Sequence, residues 1–168
     1  MSAVERQKKT FHLWAFMENQ TFFDSCTIKQ QNIKDMFAAC LTPESKYEKI
    51  IELGRRLAPY PVECKTPCRL VKGCQSEMYL LASLSPEGKV QFSAYSEALI
   101  SAGLAALLLL TYNDETPEAV LGCPPTFLED LGIQGSLSPS RANGLSSLFI
   151  RMKQEALKFL MLNPSNSN

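Results

Sequence analysis

The chain is nearly without histidine: His12 is the only one among 168 residues. A cysteine that hydrolyses its substrate is paired with a base, most often histidine. His12 stands far upstream of the stretch from Cys64 to Cys74, so a self-contained cysteine hydrolase is disfavoured. No Cys-x-x-Cys occurs, which removes the thioredoxin-like redox motif. Net charge is absent as well, because seventeen Lys and Arg balance seventeen Asp and Glu. Without a basic field nothing argues for nucleic acid or an anionic membrane as partner. There is also no apolar run of the roughly 20 residues that a membrane-spanning helix needs. The longest charge-free run, Ala98 to Asn113, contains Ser101 and Thr111 and reads as a core helix. Nor is a secretory signal peptide expected: Lys8 and Lys9 precede Phe11 to Met17, but Glu18-Asn19-Gln20 ends that run early, with no small-residue cleavage site close behind.

Six cysteines are present. The chain is not small, secreted in character or regular in cysteine spacing, so a disulfide framework is not expected. Free thiols in a reducing cytoplasm fit better. Cys64, Cys68 and Cys74 are separated by three and five residues, with no second clear pair and no nearby histidine. Zinc sites want four ligands in a recognisable pairing, so no metal is expected, although a structural metal site in this cluster is one alternative. Cys26, Cys40 and Cys123 read as fillers of apolar space, with Cys123, beside Pro124-Pro125, open to exposure.

The length suits one domain with a proper core. Thr42-Pro43, Thr116-Pro117 and Ser138-Pro139 each place a hydroxyl before a proline. The hydroxyl can accept a bond from an unpaired helix N–H, and proline loses nothing at the first helical position. They predict three helix starts. Tyr47, Ile50, Ile51 and Leu57 fall on one face after the first; Leu145, Leu148, Met152 and Ala156 do so after the third. Ser85-Pro86-Glu87-Gly88 suits a type I turn, between a strand from Met78 to Leu84 and an alternating strand from Lys89 to Tyr95. A short third strand over Arg69 to Lys72 is expected beside them. The predicted architecture is α+β: a small antiparallel sheet of about three strands covered by helices. The polar tail 163–168 is expected to fray.

The most informative stretch is Gly73-Cys74-Gln75-Ser76, ahead of the apolar run Met78-Tyr79-Leu80-Leu81. Glycine lets the backbone turn, and the run after it roots the turn in the core. Cys74 is therefore expected on a loop tip, reaching outward. A buried structural cysteine is the alternative reading of the local pattern.

This stretch resembles the signature of the SufE family of sulfur-acceptor proteins. Ile50 to Leu57 resembles the family's helix before the active loop, and Ser96 to Ile100 with Gly103-Leu104 the helix after the hairpin. Leu137-Ser138-Pro139-Ser140-Arg141 with Gly144-Leu145 resembles the start of its last helix. The blocks run in the family's order over residues 28–162, with 1–27 as a variable extension and 163–168 as a tail. The resemblance implies that Cys74 takes persulfide sulfur from a SufS-like, pyridoxal-phosphate cysteine desulfurase, activates that enzyme, and passes sulfur to a SufBCD-like iron–sulfur scaffold. Pyridoxal phosphate then belongs to the partner, and this chain carries no cofactor. It also implies a Cys74 sheltered against apolar surface until its loop swings out on docking, with Gly73 as a possible hinge and Met78, Tyr79 and Leu80 as pocket lining. Gln75 and Ser76 support the loop. Arg141 faces the partner, opposing the dipole of its own helix; Glu97 either caps the helix that follows it or faces the partner. The rival from another class is an interaction module that docks and regulates a desulfurase without carrying sulfur.

Overall fold

The structure, a computed structural model, describes residues 23–162. The expectations for Lys8 to Gln20, for His12 and for the tail 163–168 lie outside these residues. A helix α1 covers 23–37. It is followed by α2 (Pro43–Arg55), two single 3-10 turns (Val62–Cys64 and Pro67–Arg69), strands β1 (Met78–Leu84) and β2 (Val90–Ser96), α3 (Leu99–Tyr112), the short helices α4 (Pro117–Gly122), α5 (Phe127–Asp130) and α6 (Ile133–Ser136), and the long α7 (Pro139–Leu162). The fold is α+β.

Helix α3 is the centre of the core. Ten of its fourteen residues are buried, which is why the charge-free run could be apolar all round. Its neighbour α2 approaches so closely that a Cβ on Gly103 would lie 2.1 Å from the Ile50 carbonyl oxygen, and one on Gly54 would lie 2.6 Å from the Gly103 nitrogen. Two helices touch backbone to backbone here because neither carries a side chain at the crossing.

The hairpin follows the sequence pattern. Gly88 N–H donates to Ser85 C=O (2.9 Å) and Ser85 N–H to Lys89 C=O (2.8 Å), with Gly88 at φ +76°. The strands are antiparallel from Met78↔Ser96 to Leu84↔Val90. Met78, Leu80, Val90, Phe92 and Ala94 point into the core, as period-two alternation demands. On the other face Tyr79, Tyr95 and Tyr60 cluster, their ring centroids 6.3 to 6.4 Å apart. The Lys65 ammonium sits 3.2 Å from the Tyr95 centroid.

The expected third strand is absent. Leu70 makes a single bridge to Tyr79, with Val71 N–H donating to Met78 C=O at 2.8 Å. A 3-10 turn ends at Arg69 on one side and the chain turns at Lys72-Gly73 on the other. Too little extended backbone lies between them for a ladder, so the sheet has two strands.

Two of the three hydroxyl caps form. Thr42 accepts from Ser45 N–H in a reciprocal capping box, and Thr116 accepts from Ala119 N–H. The Ser138 hydroxyl instead pairs with that of Ser140 at 3.2 Å. Residues 23–27, which fall within the expected extension, are helical, and Cys26 is fully buried. The buried Glu115 accepts from Ser25 Oγ (2.7 Å) and pairs with Lys29 (2.6 Å), fixing α1 to the connection after α3.

Candidate functional site

The loop between the second 3-10 turn and β1 lies against one face of α7. Gly73 has φ +91°, a conformation that side-chain-bearing residues rarely adopt. A Cβ there would also come within 2.6 Å of Ser147 Oγ. Cys74 follows, and its thiol is turned inward rather than outward. Sγ donates to the Gly144 carbonyl of α7 at 3.5 Å, and a Cβ on Gly144 would stand 3.4 Å from that sulfur. The small residue at 144 thus makes the seat for the thiol. Ser76 anchors the other end of the loop through its hydroxyl, 3.1 Å from that of Ser101 on α3.

Cys74 opens onto a cavity of about 480 Å³. Its floor is apolar: Met78 from β1, Leu104 from α3, Leu145 and Leu148 from α7, all buried. Its rim is polar and carries Gln75, Glu97, Ser138, Ser140 and Arg141. Every chemistry-bearing residue expected from the sequence (Cys74, Gln75, Ser76, Glu97 and Arg141) therefore reaches one cavity, and Gly73 sets the turn beside it. Of the three residues expected as apolar lining, only Met78 contributes. Tyr79 points to the opposite face by strand alternation, and Leu80 lies on the inner face without reaching the cavity.

Glu97 does not cap the helix that follows. Ala98 is the cap residue and makes no side-chain capping bond; its own N–H donates to Ser96 Oγ at 3.3 Å. Glu97 and Arg141 are both exposed on the rim, free to meet another surface. Sequence reasoning missed the Gly144 carbonyl, Ser101 and Leu104. A glycine within an otherwise helical pattern was the one available signal for the first, since it marks close approach.

Burial pushes the Cys74 thiol above its ordinary value, because a thiolate in this half-apolar setting loses hydration. Burial thus favours the protonated, weakly nucleophilic form of the sulfur. No histidine or carboxylate bonds it among the described residues; its one hydrogen bond is to a backbone carbonyl. The arrangement stores a thiol and does not activate it. Cys64 and Cys68 stay apart from this site. Cys64 C=O accepts from the Tyr60 hydroxyl (3.3 Å), and Cys68 is exposed, with Sγ 3.1 Å from Thr66 Oγ1. Among the described residues no three His, Cys, Asp or Glu side chains are gathered to hold a metal. No helix among them is long and apolar enough to cross a membrane.

Comparison with known proteins gives a consistent picture. The family model for SufE, an Fe-S metabolism associated domain, matches residues 31–156. An uncharacterized SufE-like protein of Synechocystis is 37% identical over 127 residues, covering 76% of this chain and 79% of that protein. SufE-like protein 1, chloroplastic/mitochondrial, of Arabidopsis thaliana is 36% identical over 129 residues, covering 77% of this chain but 35% of the longer plant protein. The solution structure of a hypothetical protein from Thermus thermophilus superposes with a TM-score of 0.66 at 26% identity, over 79% of this chain and 96% of that one.

Proposed function

Since the chain belongs to the SufE family, whose domain is associated with Fe–S metabolism, we propose that it is a sulfur carrier. In this reading Cys74 accepts persulfide sulfur from a SufS-like cysteine desulfurase, stimulates that enzyme's turnover and passes the sulfur to a SufBCD-like iron–sulfur scaffold in the cytoplasm. The observation that carries the reading is the seating of the Cys74 sulfur, with no base of its own, in a cavity whose rim presents Arg141 and Glu97 to an incoming surface.

The chemistry is thiol–disulfide exchange in another form. The Cys74 thiolate attacks the outer sulfur of the partner's cysteine persulfide. A new S–S bond forms on Cys74, the partner's S–S bond breaks, and the partner's cysteine leaves as thiolate. Two thiols and one sulfur atom go in and come out, with no net oxidation. The acceptor needs only to be deprotonated and within reach. In the free chain burial favours the protonated thiol, and the Gly144 carbonyl of α7 holds the sulfur against the helix. Release of the Gly144 contact on docking frees the thiol, and the Arg141 guanidinium at the rim favours the thiolate. Desulfurase stimulation follows directly: the partner's persulfide is cleared as soon as it forms. Pyridoxal phosphate belongs to the desulfurase.

The test is intact mass after mixing the protein with a desulfurase and L-cysteine. A gain of one sulfur atom, mapped to Cys74 and removed by dithiothreitol, supports the carrier. Cys74→Ser should fold, gain nothing and fail to stimulate turnover. Full stimulation by Cys74→Ser would instead establish a docking module that carries no sulfur.

A further inference from the structure

A second pair of thiols lies outside the Cys74 cavity, and the sulfur-carrier reading makes no use of it. Cys26 on α1 and Cys123 at the end of α4 are 97 residues apart in sequence (123 minus 26) and are both buried. They meet around one side chain. The Gln30 amide nitrogen lies 3.3 Å from Cys123 Sγ and 3.9 Å from Cys26 Sγ, so the two sulfurs share one amide donor. The amide is itself fixed: its nitrogen donates to Pro124 C=O at 2.9 Å, and its oxygen accepts from Thr126 Oγ1 at 3.2 Å and Phe127 N–H at 3.3 Å. A core that needed only apolar filler at these positions would not surround two sulfurs with a fully bonded amide. We propose that Cys26 and Cys123 are a reversible redox pair, oxidised by peroxide to a disulfide that ties α1 to the segment after α4.

The two sulfurs have different roles. Cys123 takes the shorter amide hydrogen bond and is the less buried of the two. The neighbouring Cys26 thiol and the Gln30 amide hold Cys123 below the ordinary thiol value, while Cys123 and burial push Cys26 above it. Cys123 is thus the attacking thiolate and Cys26 the resolving thiol. The Cys123 sulfur attacks one oxygen of hydrogen peroxide. An S–O bond forms, the O–O bond breaks, and the departing hydroxide takes up the proton lost from the thiol as water. The Cys26 sulfur then attacks the sulfenic sulfur. An S–S bond forms, the S–O bond breaks, and the second hydroxide leaves as water with the Cys26 proton. Two electrons pass from the thiols to the peroxide. Helix α4 has only six residues and Cys123 closes it, so local opening at that end gives a small oxidant access.

The experiment uses full-length Cys74→Ser protein, so that the carrier thiol cannot react. It is treated with a modest excess of hydrogen peroxide, alkylated, and mapped by mass spectrometry. The expected result is loss of two hydrogens, a dithiothreitol-sensitive link between the Cys26 and Cys123 peptides, and a thermal midpoint raised by about 5 °C or more, because the link closes a long loop. In Cys26→Ala, Cys123 should stop at a sulfenic acid that dimedone traps. Recovery of both residues as free thiols while Cys64 or Cys68 oxidises would overturn the proposal. So would over-oxidation of Cys123 in Cys74→Ser protein without a link to Cys26. The peptide map decides even where Cys26→Ala does not fold.

Discussion

Ser147 Oγ stands 2.6 Å from where a Cβ on Gly73 would be. The turn that presents Cys74 is therefore held by two constraints at once, a positive φ and a hydroxyl filling the space a side chain would need. Gly73→Ala should lower stability by about 1–3 kcal/mol and move the loop off α7, reducing sulfur acceptance by Cys74. Adding Ser147→Ala removes the clash but not the φ strain, so the double variant should recover part of the stability. Chemical denaturation with and without the second substitution measures both contributions. Full recovery would show that sterics alone set the turn.

The raised thiol of Cys74 predicts a pH signature. Alkylation of Cys74 by iodoacetamide in the free protein should follow a titration displaced above that of an ordinary cysteine, because burial penalises the thiolate. In the presence of a docked desulfurase the displacement should shrink. The linkage has a definite sign. An acid whose folded value is raised adds stability that is fully present below its unfolded value and is lost as pH rises through the folded one. Wild type should accordingly lose stability relative to Cys74→Ser as pH climbs past the ordinary thiol range. Parallel melting curves against pH would show no such divergence had the sulfur been freely hydrated.

Arg141 lies in the first turn of α7, where a cation opposes the helix dipole. It is exposed. Arg141→Ala should therefore leave the thermal midpoint unchanged or raise stability by a few tenths of a kcal/mol. Desulfurase stimulation at sub-saturating protein should nonetheless fall several-fold, and Arg141→Lys should restore only part of it, because a point charge does not reproduce the guanidinium fork. Wild-type sulfur transfer by Arg141→Ala removes this residue from the mechanism.

Local chemistry was legible in the sequence and tertiary contact was not. The hairpin turn and the Thr42 and Thr116 caps depend on residues a few positions apart, and the structure shows them where the pattern places them, with the second strand displaced by one residue from Lys89–Tyr95 to Val90–Ser96. The gathering of Cys74, Glu97 and Arg141 at one cavity was approached through a resemblance. Nothing in the residues around Cys74 says that its sulfur faces a carbonyl 70 positions away. The same limit hid the meeting of Cys26 and Cys123 at the Gln30 amide. The third strand failed because a proline turn and a glycine turn bracket it too tightly. The Ser138 cap failed because a second hydroxyl, Ser140, competes for it.

A sheet of two strands has no interior strand, so both of its outer edges offer unpaired backbone to any passing chain. Here each edge has one short cover: Leu70 lies along β1 and Glu115 along β2. The cover on β1 ends at Val71, just ahead of the turn that carries Cys74, and is held by the bond from Val71 to Met78. In the sulfur-carrier reading, freeing the sulfur for transfer would loosen the guard on that edge. A carrier that opens only against its partner hides this backbone throughout. One that opens alone, for instance after a substitution that weakens the seat at Gly144, exposes a template for strand addition, and its first symptom would be self-association rather than lost chemistry.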